Sequence, residues 1–221
     1  MKQINVGIIG TGWCGGIRAE TCASNPLVDQ LHIAETNLDR LAGMKSLYAP
    51  ATATDNYREL LENPDIDTII ISATPETSHY PMTKESLTAG KHVFLEKPLA
   101  LTLTEADELV ALAKANNLKF TIGYSQRFNT KYAYVKKSLE DGTIGDPVSV
   151  LVSRHISRNL GSKIGGRIKL SPAAMEATHD IDFVLWCLEP AKPVRVYSQW
   201  VNKVMHPTHG VQDCQWIMVT M

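Results

Sequence analysis

Three groups of residues have the types and spacing to do chemistry together. Lys97, within Glu96-Lys97-Pro98, closes the apolar run Lys91-His92-Val93-Phe94-Leu95. That run reads as a buried strand. A lysine at its carboxyl end is costly without a task, because a buried ammonium must be paired or hydrogen-bonded. In open α/β sheets, ligands bind outside those carboxyl ends. Upstream, Gly10-Thr11-Gly12-Trp13-Cys14-Gly15 has the Gly-x-Gly-x-x-Gly spacing that suits a dinucleotide pyrophosphate. Downstream stands His179-Asp180-Ile181-Asp182. A dinucleotide cradle, a strand-end lysine and a later histidine together point to hydride transfer to or from a nicotinamide. An alcohol losing hydride must also lose its hydroxyl proton. His179 is the natural general base, since histidine titrates near neutral pH. Lys97 can donate a hydrogen bond to the alcohol oxygen, stabilise developing alkoxide charge and touch the nicotinamide ribose. Asp182 lies three residues after His179 on one helix face. It could orient the imidazole or bind a substrate hydroxyl, although His-x-x-Asp on a helix is more often structural.

The elements that must position these groups alternate from the start. Ile4 to Ile9 is a continuous apolar run, as expected for a strand covered on both faces. A helix is predicted over Gly15 to Ala23, a strand over Leu31 to Glu35 and a helix over Leu38 to Leu47. Asp55 is read as the cap of a short helix through Leu61. Asp67 to Ser72 reads as a strand, and Thr77 or Ser78 as the cap of a helix that Gly90 closes. After Lys91 to Leu95 comes a helix with Thr104 as its cap and Asp107 three residues on. Its apolar face would be Ala106, Leu109, Val110 and Ala113. Lys119 to Ile122 is a last strand. This β-α alternation argues for a parallel sheet wound with helices on both faces.

After Gly123 the rhythm changes. A helix is expected over Asn129 to Leu139, with Gly142 and Gly145 in the turn beyond. A strand follows over Val148 to Val152, then a loop over residues 157–172. A helix over Met175 to Leu188 carries the histidine, and strands are expected over Val194 to Trp200 and Trp216 to Thr220. This is a second unit of α+β type, its sheet open and mostly antiparallel. The chain stops inside a strand-like run, Val219-Thr220-Met221. That sheet is therefore expected to be incomplete, through truncation or because another subunit completes its edge.

At the cofactor site, Gly10 allows the tight turn, Gly12 lets backbone N–H groups approach the pyrophosphate, and Gly15 permits close helix–strand packing. The helix amino terminus adds partial positive charge. Glu35 ends the second strand, where an acid can bind the adenosine ribose hydroxyls and repel a 2′-phosphate, so NAD is favoured over NADP. Arg40 is the opposing signal, read as a surface charge. Ser72-Ala73-Thr74-Pro75 ends a strand and should line the crevice. His79 follows at a helix start and reads as a capping histidine.

Composition narrows the classes. The chain has 221 residues, 44% hydrophobic and 20% charged, as in an ordinary globular protein. Lys plus Arg is 22 against 23 Asp plus Glu, which leaves no basic footprint for nucleic acid and no polybasic membrane anchor. Cys14, Cys22, Cys187 and Cys214 have neither Cys-x-x-Cys nor zinc spacing, and read as buried thiols in a reducing compartment. The amino terminus is too short for a signal-peptide core, so a cytoplasmic protein is expected. The residues Arg154, His155, Arg158, Lys163 and Arg167 make a basic loop that could bind a polyol, uronate or phosphate, or simply be solvated. His206-Pro207-Thr208-His209 superficially resembles a metal pair, but only Asp213 could join it, so a turn is expected and no metal.

These residues stand in the order of a known family. The chain resembles the glucose-fructose oxidoreductase and inositol dehydrogenase (Gfo/Idh/MocA) family in several elements. They are the glycine motif, Thr74-Pro75 with His79, and Ala89-Gly90-Lys91-His92-Val93 leading to Glu96-Lys97-Pro98. Gly123-Tyr124, Arg127-Phe128-Asn129 and His179-Asp180-Ile181-Asp182 follow. The resemblance implies a Rossmann domain over residues 1–122 and a carboxyl-terminal α/β domain over 123–221 whose sheet makes homo-oligomer contacts. With the residue reading, it gives cofactor contacts at Gly10, Thr11, Gly12, Trp13, Cys14, Gly15, Glu35, Thr74, Pro75, His79, Glu96 and Lys97. Substrate contacts are expected at Lys97, Tyr124, Arg127, His155, Glu176, His179 and Asp182, with Lys97 and His179 catalytic. The implied substrate is a secondary alcohol of a sugar, glycoside or cyclitol. The chain departs from the family pattern before the histidine. Lys169-Leu170-Ser171 stands where glycines are usual, and Met175 where an acid is usual. Glu176 is one residue later, about 100° round a helix. Two other classes therefore stay open: a glycoside hydrolase or lyase that uses retained NAD for transient oxidation, and a dinucleotide-binding regulator without chemistry.

Overall fold

The computed structural model describes residues 2–157, 170, 171 and 173–221. The chain divides into two units, Met1–Gly123 and Tyr124–Met221, and each is taken by itself.

The first unit alternates strand and helix throughout. Its elements are β1 (Ile4–Ile9), α1 (Trp13–Ser24), β2 (Val28–Ala34), α2 (Leu38–Tyr48), β3 (Thr52–Thr54), α3 (Arg58–Glu62), β4 (Thr68–Ile71), α4 (His79–Thr88), β5 (His92–Leu95), α5 (Leu103–Ala115) and β6 (Phe120–Ile122). The six strands form one sheet in the order β3-β2-β1-β4-β5-β6, every neighbour parallel. This is the Rossmann order, which reverses direction between β1 and β4. Successive side chains on a strand face opposite ways, so the strands feed two cores. On one side Ile9, Ile69, Ile71, Val93 and Leu95 meet Leu60, Leu87, Leu109 and Ala113 from α3, α4 and α5. On the other, Val6, Ile8, Leu31 and Ile33 meet Ala19 of α1 and Leu41 of α2. Ile8, Ile33, Ile69, Ile71 and Leu95 are wholly buried. Each such side chain contributes about 1.5–3 kcal/mol relative to exposure.

Several local expectations are corrected. The cap of α5 is Thr102, not Thr104. Its hydroxyl accepts from Glu105 N while the Glu105 carboxylate accepts from Thr102 N, a reciprocal capping box. Glu105 has one more methylene than the Asp107 of the alternative register, and so the reach to turn back. Val110 is exposed, and Leu112 packs on the core in its place. Asp55 does not cap α3; the Asn56 side chain accepts from Arg58 N. Neither Thr77 nor Ser78 caps α4. A 3-10 turn, Glu76–Ser78, leads into it, and the Ser78 hydroxyl donates back to Pro75 O.

The second unit contains a 3-10 turn Ser125–Phe128, α6 (Thr130–Glu140), a π turn Ala173–Ala177 running into α7 (Thr178–Cys187), β7 (Arg195–Val201), the four-residue α8 (His206–His209) and β8 (Cys214–Thr220). Asn129 caps α6. Tyr132 of α6 meets Phe183 of α7 edge to face at 4.7 Å. Strands β7 and β8 form an antiparallel pair, Arg195 opposite Thr220 and Val201 opposite Cys214. The strand expected over Val148 to Val152 does not form. The segment is irregular and exposed, Val148 at 98%, and no strand among the described residues pairs with it. High β propensity without a ladder partner does not hold a strand. The four cysteines are free thiols but not uniformly buried: Cys14 and Cys214 are exposed and only Cys187 is buried outright. His206 and His209 lie on α8, while Asp213 accepts from the backbone N–H groups of Lys203, Val204 and Met205. Among the described residues no group of three His, Cys, Asp or Glu could hold a metal, and no helix is long and apolar enough to cross a membrane.

Candidate functional site

The carboxyl ends of β1 and β4 lie side by side where the strand order reverses, the place such sheets offer to a ligand. Gly10 leaves β1 with φ +84° and donates from N to Ala34 O at 2.8 Å. A Cβ there would stand 2.8 Å from Ala73 Cα, so the first turn of the fingerprint is pressed against the loop after β4. A Cβ on Gly15 would meet Gly10 O at 2.0 Å, which makes the start of α1 inseparable from that turn. Gly12 differs: nothing lies within 4 Å of its Cβ position. It is the N-cap of α1, and no side chain among the described residues caps that end. A helix amino terminus with open space in front of it suits a pyrophosphate. The buried hydroxyl of Ser72 at the end of β4 has no partner among the described residues. The residues present therefore fit a dinucleotide. Trp13 and Cys14 flank the opening and are exposed, Thr11 is buried, and Thr74 and Pro75 are exposed beyond Ser72.

Glu35 is tied into this loop. One carboxylate oxygen accepts from Thr11 N at 2.7 Å and Thr11 Oγ1 at 2.8 Å. The other accepts from Asn37 N at 2.8 Å and Arg40 Nη2 at 3.0 Å. Burial alone would raise its pKa, but the bonds from Arg40, Asn37 and Thr11 prevail and bring it from 4.5 to about 2. Arg40 is therefore not an idle surface charge. Its half-exposed guanidinium completes the shell of the acid that holds the fingerprint.

The Glu96-Lys97-Pro98 segment follows β5, which lies between β4 and β6. Lys97 is half-buried at that strand end. Glu96 accepts from Arg18 of α1. His79 does not cap α4. It is buried, and its ring contacts two backbone carbonyls, Pro98 O through Nδ1 at 2.7 Å and Ala73 O through Nε2 at 3.1 Å. Carbonyl oxygens only accept, so a neutral ring donates to one of them and a protonated ring to both.

In the second unit, His179 lies in the first turn of α7. Its ring meets that of Tyr124 edge to face at 6.1 Å, and the Tyr124 hydroxyl bonds Thr178 Oγ1 at 3.1 Å. Arg127 grips Asp182 with two bonds, 2.8 and 2.6 Å, and lies over the Trp186 ring. Each oxygen of Asp182 thus accepts one bond from the arginine. Arg154 likewise engages both oxygens of Asp180, with Glu176 at 3.9 Å. Glu176 and Asp180, four residues apart, share the side that faces Arg154. Met175 is buried four residues before His179. The Gln126 amide, oriented to suit its neighbours, donates to His179 O and accepts from Arg154, each at 2.9 Å. His155 is exposed and bonds Ser153 Oγ. Arg158, Lys163 and Arg167 of the basic loop lie outside the described residues, as does Lys169.

Sequence reasoning missed Arg18, Gln126 and the Arg154–Asp180 pair. Arg18 carried a faint signal: a lone arginine one turn past Gly15, among the small residues Gly16 and Ala19 of the helix that packs on the sheet.

The sequence model of the Gfo/Idh/MocA family, described as "Oxidoreductase family, NAD-binding Rossmann fold", matches residues 4–124. The myo-inositol 2-dehydrogenase of Thermotoga maritima is 31% identical over 65% of this chain and 43% of its own. The inositol 2-dehydrogenase/D-chiro-inositol 3-dehydrogenase of Shouchella clausii is 30% identical over 98% of this chain and 62% of its own. The chain thus spans less than two thirds of either relative. The crystal structure of scyllo-inositol dehydrogenase from Lactobacillus casei, with bound NAD(H) and scyllo-inositol, shares the fold. It superposes with a TM-score of 0.87 at 23% identity, covering 99% of this chain and 66% of that one. With more than half its length matched by the family model, and with that family's cofactor cradle built at the β1–β4 reversal, the chain belongs to the Gfo/Idh/MocA oxidoreductases with an NAD-binding Rossmann fold.

Proposed function

We propose that the protein is an NAD-dependent dehydrogenase acting on a secondary alcohol of a sugar, glycoside or cyclitol. The observation that carries this reading is the placement of Lys97 at the carboxyl end of β5. Its neighbour β4 ends in the loop that backs the fingerprint turn. NAD would supply the hydride acceptor, and the N–H groups at the start of α1, with Thr74 and Pro75, would hold it. The Lys97 ammonium donates a hydrogen bond to the substrate oxygen and stabilises the charge that develops on it as the C–H bond breaks. His179 takes the hydroxyl proton. The Tyr124 and His179 rings meet edge to face and Gln126 bonds the His179 carbonyl, so the start of α7 is held from two sides. Asp182 supports the site through Arg127, keeping α7 against the segment that carries Tyr124. Inositol is the first substrate to try, because the relatives above are inositol dehydrogenases. Self-association is assigned to the β7–β8 pair, whose apolar side chains, Trp200 and Trp216 among them, stand exposed.

The test is reduction of NAD and of NADP against cyclitols, hexoses, uronates and glycosides, with Lys97→Ala alongside. Turnover with NAD that Lys97→Ala abolishes is the expected result. Net glycoside cleavage with cofactor that stays bound and is not consumed would instead establish the retained-NAD lyase. Dinucleotide binding with no turnover, unaffected by Lys97→Ala, would leave the regulator. Sedimentation of the purified chain checks the self-association.

A further inference from the structure

We propose that Arg18 and His79 are positioning residues for Lys97. They anchor the peptides on either side of the lysine to the elements that form the cofactor cradle. The proposal rests on the reading of Lys97 as the group that meets the substrate oxygen.

Arg18 lies on α1, three residues past Gly15. Its Nε and Nη2 both reach the same oxygen of Glu96, at 3.1 and 2.8 Å. Its guanidinium sits over the Phe94 ring, 4.8 Å from the centroid. The side chains of the pair are 31% and 14% exposed, so much of the interaction is withdrawn from water. The second oxygen of Glu96 rests against Gly123, where a Cβ would come within 2.9 Å. A side chain at 123 would therefore push Glu96 off its seat. The Glu96 backbone is fixed as well, donating to Ile71 O at 2.9 Å. On the other side of the lysine, the His79 ring lies between Pro98 O and Ala73 O, at 2.7 and 3.1 Å, donating to one of them as a neutral ring and to both when it carries two N–H groups. Ala73 is the residue against which Gly10 packs. One anchor thus runs from Lys97 through Glu96 and Arg18 to the helix whose amino terminus faces the pyrophosphate. The other runs through Pro98, His79 and Ala73 to the fingerprint turn. Both end on the cradle, and Lys97 has little backbone freedom between them.

The same molecule provides a control. Arg58 bonds Glu85 at 2.9 Å and lies over Tyr57, also at 4.8 Å. It makes the same kind of pair, but more exposed and joining α3 to α4. Its partners Glu85 and Tyr57 belong neither to the fingerprint nor to the segment that carries Lys97.

The experiment uses the full chain. Lysines are reductively methylated with ¹³C, the Lys97 signal is assigned by its loss in Lys97→Arg, and that signal is followed in Arg18→Ala, His79→Asn and Arg58→Ala. NADH binding is measured in parallel by fluorescence. Where the wild type turns over a polyol, kcat and KM are compared as well. Arg18→Ala is expected to move the Lys97 resonance and lower kcat by about 100-fold, the loss a misplacement near 1 Å can cause, with NADH affinity retained. Added guanidinium should restore part of both. His79→Asn should act in the same direction, and Arg58→Ala should change neither readout. Arg18→Lys keeps charge and stem but not the fork, and serves as the second variant if Arg18→Ala does not fold; its resonance should shift less. A Lys97 resonance and kcat left at wild-type values in folded Arg18 variants overturns the proposal. So does a loss that follows NADH affinity and that guanidinium does not restore. If the wild type turns over no member of the cyclitol, hexose, uronate and glycoside panel, the dehydrogenase reading fails, while the resonance still decides the positioning.

Discussion

The two units hold their candidate residues in different ways. In the first, packing builds the frame, and one ion pair, Arg18–Glu96, joins it beside Lys97. Lys97 follows a strand whose Leu95 and Val93 are buried, and the fingerprint turn is pressed against its neighbours at distances that admit no side chain. In the second, side-chain pairs do it. His179 lies on a helix fastened by Arg127 to Asp182, Arg154 to Asp180 and Tyr124 to Thr178. Its strands expose Val196, Tyr197, Trp200, Trp216 and Met218, and among its described residues only Met175 and Cys187 are buried hydrophobics. Apolar packing is not weakened by charge screening, whereas ion pairs near the surface are. The packed frame under Lys97 should therefore keep its form over a wider range of salt than α7, while the Arg18–Glu96 anchor is screened along with the pairs of the second unit.

The largest expected effect sets the cores against each other. Leu95→Ala should lower stability by about 2–5 kcal/mol, and Trp216→Ala, at a site 68% exposed, by no more than about 0.5 kcal/mol. Urea titrations would show it, and equal losses would break the comparison. Within the cradle, Gly15→Ala should cost about 1–3 kcal/mol by overpacking and remove NADH binding. Gly12→Ala should weaken NADH binding with stability unchanged, since its surroundings are open. A stability loss in Gly12→Ala equal to that in Gly15→Ala would mean the space over Gly12 is not kept for a ligand. In the second unit, a double-mutant cycle on Arg127 and Asp182 should return a coupling of about 0.5–3 kcal/mol, falling as salt is added. A salt-independent value would place that pair with the packed contacts instead.

Glu35 gives the pH signature of the first unit. Its pKa falls from 4.5 in the unfolded chain to about 2 in the folded one. The stability it contributes is complete above about 4.5 and is lost as pH falls through about 2. Glu35→Gln should flatten the stability curve across that interval. An unchanged acid limb in the variant would mean another carboxylate sets it. The smallest effect is local: Thr102→Ala should cost about 1 kcal/mol, while Thr104→Ala should cost close to nothing. Thermal melts of the two variants would confirm which threonine is the cap.

The pattern of residues along the chain determined the wound parallel sheet, the fingerprint and the strand-end lysine, because each is written in neighbouring residues. Apolar runs bounded by glycine make buried strands, and Gly10, Gly12 and Gly15 answer constraints set within a few residues of themselves. Tertiary structure alone decided what the charged and β-branched residues do. Val148 to Val152 has the composition of a strand but no ladder partner, so it forms none. Asp182 stands three residues from His179 in the sequence, but its partner Arg127 is 55 residues away and reaches it only through the fold. Arg40 has the composition of a surface charge, but the buried Glu35 carboxylate turns toward it and bonds it. Arg18 and Glu96 are 78 residues apart, and no local spacing relates them. A charge finds its partner through the fold, since the partner is whatever packing brings within about 3 Å, and that distance is not encoded in sequence order.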